Sequence, residues 1–526
     1  MLRWKDGAPI FGAKGITRRG VLAAGAAAAA MPALLTGSAR AANTPRRGGH
    51  FVLALGHGNT ADTLNPATWE NQFTNCLAHA MHGRLTEIAA NGDLVGEVAE
   101  TWEHSSDAKT WRFTLRQDLT FHNGQSVRPD DVAASLNYHR DPDVASAAQP
   151  LLKDITDLTV DSDGITIRLL NGNADFPFLL ADGHLVVVPS SEGKIDPNAE
   201  IGCGAYRLDR FDPGVVAKFS RYEDYWDDNR GFFDSVEIRA SVDPAGRQAA
   251  LLTGEVHAID RVPLDTFELL RQAPGVAVME VAGTQHFTFP MQCDVAPFND
   301  PEVRRALKCA LDRQDLLARI LRGHGTVGND SPITPANRYY NDEMPAAEYD
   351  PDRARHHLKK AGYDRLSLTL SVADAAFQGA VDAAALYREN AAAAGIDITV
   401  DRVPSDGYWT NVWRNRPWCA SYWGGRTTED SMFSEVYQSG VPWNESDWSN
   451  ERFDALLLQA RAETDVSTRR TLYFEMQDIV RRDGGSVIPL YANYVFARLD
   501  SVATPAEIGS NWTLDGSRCI ERWWFA

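Results

Sequence analysis

Arg426 lies in the run Ser421-Tyr422-Trp423-Gly424-Gly425-Arg426-Thr427-Thr428-Glu429-Asp430, where two aromatic rings and two glycines precede a guanidinium and an acid pair follows it. A guanidinium offers a planar fork of donors that matches the edge of a carboxylate, so one such group in a cleft both holds and orients an anionic molecule. Burying it without a counter-charge is costly. Arg426 therefore needs either an internal acid, with Glu429 and Asp430 nearest in sequence, or an anionic group on a ligand. Six of the 14 tryptophans, Trp409, Trp413, Trp418, Trp423, Trp443 and Trp448, fall within this part of the chain, joined by Tyr408, Tyr422, Phe433 and Tyr437. Rings of this kind present rigid apolar faces with a polar tip, which suits a water-excluding pocket for an amphipathic ligand and suits a core equally well. Trp413 and Trp448, beside helix-forming segments, read as core. Trp423, beside two glycines and an arginine, reads as pocket-facing.

Chemistry that makes or breaks bonds has little support. No G-x-S-x-G nucleophile elbow, no H-E-x-x-H pair and no glycine-rich phosphate loop after a strand occurs in the chain. His356 and His357 are adjacent, so a helix would turn them about 100° apart, which is poor geometry for shared metal ligation. Asp161-Ser162-Asp163-Gly164 opens like a calcium loop but lacks the later ligands, and a hairpin turn accounts for it better. The six cysteines include no C-x-x-C pair, so bridges and buried thiols both stay open. No enzyme activity, metal or cofactor is expected.

These residues must be positioned by elements that local patterns reveal. His50–Gly56 alternates as a strand, residues 71–82 read as a short helix, and Asn91-Gly92 and Asn123-Gly124 mark turns. Arg128-Pro129-Asp130-Asp131 opens a helix, and residues 159–170 form a hairpin. From about residue 286 the texture changes to a strand, an Asp-Pro start and one long amphipathic helix through residue 320. Two further helices (352–361 and 380–394) each feed a strand. Helices covering a sheet define an α/β class.

The first forty residues read as an export signal. Arg18-Arg19 is a twin-arginine pair, the following Ala/Gly-rich run is too soft for a spanning helix, and Ala39-Arg40-Ala41 fits a cleavage site. Removing residues 1–41 leaves 46 basic against 70 acidic residues, a net charge of −24. So acidic a surface repels phosphate backbones, which argues against nucleic acid as a partner.

The order of segments across nearly the whole of residues 42–526 resembles the family 5 extracellular solute-binding proteins, the peptide- and nickel-type receptors of ABC importers. Residues 62–69 (DTLNPATW), 94–136, 201–211 (IGCGAYRLDRF), 297–335 and 487–502 carry the likeness in sequence order. Cys203 and Ala205 depart from the family's G-T-G-P-Y element. The resemblance implies a two-lobed α/β periplasmic-binding-protein fold of the large peptide-receptor type, with mixed sheets, flanking helices and two hinge crossings. Lobe 1 would hold 42–285, with a subdomain at about 83–180, and be completed by 497–526; lobe 2 would hold 286–496.

It implies a monomer in the periplasm that captures a peptide or a small carboxylate-bearing solute and delivers it to permease subunits in the inner membrane. An exported enzyme, or a receptor for a metal chelate or haem, is the alternative on the same fold. Peptide receptors of the family keep an aspartate for the ligand's ammonium just after a Trp-containing strand, and Arg426 stands there instead. The basic residue that takes a dipeptide's carboxylate is replaced by Ala375, with Phe377 nearby. The expected ligand-binding set is Arg426, Trp423, Tyr422, Gly425, Asp430, Trp69, Phe377 and Trp409.

Overall fold

The computed structural model describes residues 44–426 and 428–526; the segment read as a signal, 1–41, lies outside the described residues. Three helices begin on the same Asp-Pro device. Asp243, Asp300 and Asp350 each accept a backbone N–H of the first turn, and Pro244, Pro301 and Pro351 occupy the position whose missing N–H costs nothing. The helix Gln72–Met81 starts on a capping box between Asn71 and Thr74. The long helix expected through residue 320 is two helices, Pro301–Cys309 and Arg313–Arg319. Asp312 caps the second by accepting from Gln314 and Asp315 N–H, so the chain restarts where an apolar period alone would continue.

One nine-stranded sheet organises the chain. Its strands run in the order Tyr206–Asp212, Val216–Arg221, Ser235–Ala240, His50–Leu55, Ala258–Ile259, Ser486–Leu499, Val276–Pro290 and Ser421–Trp423, with Gly325–Val327 also on Ser486–Leu499. Val276–Pro290 and Ser486–Leu499 pair antiparallel from Val276 opposite Leu499 to Pro290 opposite Ser486, with the register broken between Val281 and Gln285.

These two long strands belong to apolar cores on both sides of that break. Val276, Val495 and Ala497 pack with Val52, Leu251 and Phe267, and Phe496 joins Phe51, Trp69 and Trp523. Phe287, Phe289 and Leu490 pack instead with Leu307, Leu370 and Tyr387, while Ile488 and Tyr491 join Phe433, Trp448 and Tyr473. Strands shared by two cores make a two-lobed architecture with two crossings. The first lobe adds a four-stranded antiparallel sheet in the order Ala99–His104, Thr110–Leu115, Gly164–Leu169, Ile155–Val160, over which the helix Pro129–Arg140 packs. The second adds the parallel pair Leu366–Val372 and Ile396–Arg402, joined through the helix Ala380–Ala392. No helix among the described residues is long and apolar enough to cross a membrane.

Asp161 and Asp163 form the hairpin turn expected of them, both held by the Arg112 guanidinium. All six cysteines are free thiols.

Candidate functional site

The strand Ser421–Trp423 adds to the edge of Val276–Pro290, with Trp423 opposite His286, Tyr422 opposite Phe287 and Ser421 opposite Thr288. Side chains alternate across a strand. Ser421 and Trp423 are accordingly buried, while Tyr422 points the other way and is 39% exposed. The chain then passes so close to the register break that a Cβ on Gly425 would lie 1.6 Å from the hydroxyl of Thr284. Gly425 therefore serves backbone approach to a crossing strand. Gly425 was placed in the expected binding set, but the space beside it is filled by Thr284.

Past this contact Arg426 reaches a cavity of about 540 Å³. Its floor is Ala282 and Thr284 at the register break. One wall is the turn 88–93 together with residues 507–511, and the other is residues 335–338 with Arg426, Thr428 and Glu429. The Arg426 Nε donates to Glu435 Oε2 at 2.7 Å, and its guanidinium lies 5.4 Å from the Trp423 ring centre and 5.7 Å from that of Trp443. Glu435 is nine residues on, in the short π-helix Phe433–Tyr437. The nearer acids expected as partners are committed elsewhere. Asp430 accepts both contacts of the Arg461 Nε, at 3.0 and 3.2 Å, and Glu429 accepts the Tyr339 N–H at 2.6 Å.

Burial pushes the Glu429 carboxyl up to about 7; the Tyr339 N–H opposes the shift, and the charge of Asp175 adds to it. Burial also holds the His286 imidazole down at about 4, so it is neutral beside Arg426 at ordinary pH. Glu445, raised by burial, receives the Trp413 indole N–H at 2.8 Å and the Thr288 hydroxyl at 2.9 Å.

The expected residues divide. Of the eight, Arg426 alone lines this cavity. Asp430 is consumed by Arg461. Trp69 is buried in the first-lobe core, its indole N–H bound to the Thr63 carbonyl at 2.9 Å. Phe377 is buried and stacks on Phe287 at 4.1 Å. Trp423, expected to face the pocket, belongs to the second-lobe core and reaches the site through its ring contact with Arg426. Trp409 and Tyr422 are part-exposed and pack edge to face at 5.7 Å, continuing through Trp413 to Trp423 and Trp443 as one aromatic band beside Arg426. Arg338, Asn337, Asp93 and Glu507 also line the cavity, and no functional motif in the sequence singles them out. Only the Asn91-Gly92 turn, whose glycine adopts φ 82°, carried a local signal.

A two-lobed α/β fold with crossing strands at the floor of an interlobe cavity defines a solute-binding protein. The sequence agrees: residues 93–445 match bacterial extracellular solute-binding proteins, family 5, and the chain belongs to that family. Among its relatives are the glutathione-binding protein GsiB of Pectobacterium atrosepticum, 24% identical over 449 residues, covering 82% of this chain and 86% of the relative. The peptide transport periplasmic protein SapA of Salmonella typhimurium is 24% identical over 498 residues, covering 86% and 89%. Solved structures with the same fold include the binding protein AgaA from A. tumefaciens R10 in complex with agropinic acid, with a TM-score of 0.75 and 23% identity over 91% of this chain and 99% of that one. HbpA2 from Haemophilus parasuis superposes with a TM-score of 0.78 at 20% identity, covering 89% and 99%.

Proposed function

We propose that this protein captures a peptide or a small carboxylate-bearing organic solute in the cavity between its lobes and delivers it from the periplasm to an ABC importer. The observation that carries the reading is the cavity itself. Segments from both lobes line it over the register break of the crossing strands, and the guanidiniums of Arg426 and Arg338 face it. Hinge closure around a solute expels water and strengthens each polar contact inside. The relatives that bind glutathione and transport peptides, and the likeness to a fold that holds agropinic acid, support the same solute class.

In this reading the lobes are 42–285 with 497–526, and 286–496, and a monomer of net acidic charge meets permease subunits rather than nucleic acid. Arg426 anchors the solute through the guanidinium edge that Glu435 leaves open, held in place by the Trp423 and Trp443 rings beside it. Binding, with no turnover, is the activity. Mass spectrometry of the solute retained through gentle purification tests it. A carboxylate-bearing molecule is expected, and Arg426→Ala should abolish its retention. Unchanged retention in that variant would remove Arg426 from the site, and release of a chemically altered product would replace binding by catalysis.

A further inference from the structure

Six charged side chains line the cavity, and they separate by lobe. Asp93, Asp175 and Glu507 come from the first lobe, Arg338, Arg426 and Glu429 from the second. Three of the six are already answered within the protein. Asp175 is held by both ends of the Arg469 guanidinium, at 2.6 and 2.5 Å. Arg426 gives its Nε to Glu435. Glu429 has one oxygen fixed on the Tyr339 N–H, and its burial favours the neutral acid up to about pH 7. Arg338 makes no ion pair among the described residues. Its guanidinium rests between aromatic faces, 5.6 Å from the Phe178 ring centre and 5.1 Å from that of Tyr339, which steers the planar group without using its N–H donors. Asp93 and Glu507 also make no ion pair among the described residues; Asp93 accepts from the Asn91 amide at 2.7 Å.

The uncompensated charge is thus negative on the first-lobe wall and positive on the second. We infer that the cavity takes a zwitterionic solute in one polarity, its ammonium toward Asp93 and Glu507 and its carboxylate on Arg338, with Arg426 assisting. Closure would then bring each lobe onto the end of the solute that carries the opposite charge, so a solute with only one charged end closes the cleft less well. Arg338 becomes the specificity residue for the carboxylate. The inference rests on the reading of this cavity as the solute site.

The test uses the full-length exported protein and two sets of probes. These are glutathione and its N-acetyl form, and the dipeptide Ala-Phe free, N-acetylated and C-amidated. Thermal stabilisation and calorimetric affinity are measured for each. A charge-assisted hydrogen bond is worth roughly 10- to 100-fold in affinity. The free forms are expected to bind, and each blocked form to bind at least about 10-fold more weakly. Arg338→Gln should erase the preference for a free carboxylate while keeping that for a free ammonium, and Asp93→Asn with Glu507→Gln should do the reverse. N-acetylated probes that bind as tightly as free ones overturn the polarity, as does an Arg338→Gln protein that still discriminates against the amide. If no probe stabilises the protein, the peptide-type reading itself fails and the polarity falls with it.

Discussion

Asp175 and Arg469, 294 positions apart, form a buried two-point ion pair that joins the lobes beside the cavity. Asp175 immediately precedes the short helix Phe176–Leu179 of the first lobe, and Arg469 rises from the second-lobe helix Val466–Asp483. The Arg469 guanidinium also lies 5.6 and 5.4 Å from the ring centres of Tyr339 and Tyr473, and its Nε donates to the Ala460 carbonyl at 2.9 Å. One residue before Asp175, the Ala174 N–H donates to the Arg461 carbonyl at 2.7 Å. Each nitrogen of this guanidinium has a fixed partner, with Nη2 also reaching the Tyr473 hydroxyl, so the pair clasps the two lobes at one flank of the site.

Removing one member of such a pair strands the other charge. Asp175→Ala should lower unfolding free energy by about 3–5 kcal/mol, read from urea denaturation. The same change should increase amide exchange in 172–178 and 460–470 ahead of the rest of the chain. A loss below about 1 kcal/mol, with exchange unaltered, would mean that the clasp contributes little.

Gly425 tests the crossing. An alanine there would set its Cβ 1.6 Å from the Thr284 hydroxyl and 2.5 Å from its Cβ, against a strand that both cores hold in place. Gly425→Ala is expected to cost about 1–3 kcal/mol, and Thr284→Gly in the same chain should recover most of the loss. Failure of the second substitution to rescue the first would place the strain elsewhere.

Glu429 makes stability depend on pH. Its folded-state carboxyl titrates at about 7, against 4.5 for the ordinary group, because burial disfavours the charge. A raised value means that the folded state holds the proton more tightly than the unfolded chain. Its contribution is therefore fully favourable below pH 4.5 and is lost as pH rises through 7. Glu429→Gln keeps an oxygen for the Tyr339 N–H and cannot ionise. Relative to the natural protein it should match stability near pH 4.5 and gain up to about 3 kcal/mol by pH 8. Denaturant curves at the two pH values check this. Asp175 and Arg469 act on the same carboxyl, so the comparison is made as a difference between the two proteins. A constant difference across that range would assign the burial cost to another group.

Much of the chain is legible in its sequence because the controlling interactions are local. The Asp-Pro helix starts at 243, 300 and 350 and the Asn-Gly turn at 91 each depend on neighbours within a few residues, and so does the strand His50–Leu55, although it is buried on both faces rather than alternating. The order of such segments was enough to resemble a family, and so to imply two lobes. Local rules also mislead where a cap interrupts a period, as Asp312 does between two helices that share one apolar face. The site was less legible. Arg426 was marked by its type and its aromatic setting, but its partner was not, because the backbone turn at 428–437 brings Glu435 to it and turns Asp430 away to Arg461.

What the sequence by itself determined is the inventory: an acidic chain, a cluster of tryptophans and a guanidinium set among them. What only the tertiary structure decided is which charges remain uncompensated. Pairings such as Asp175 with Arg469, or a wall built from 88–93 and 507–511, are set by the register of two long crossing strands and the packing of two cores. Coulomb and contact energies depend on distance in space, and a chain of this length leaves that distance undefined until both lobes have folded.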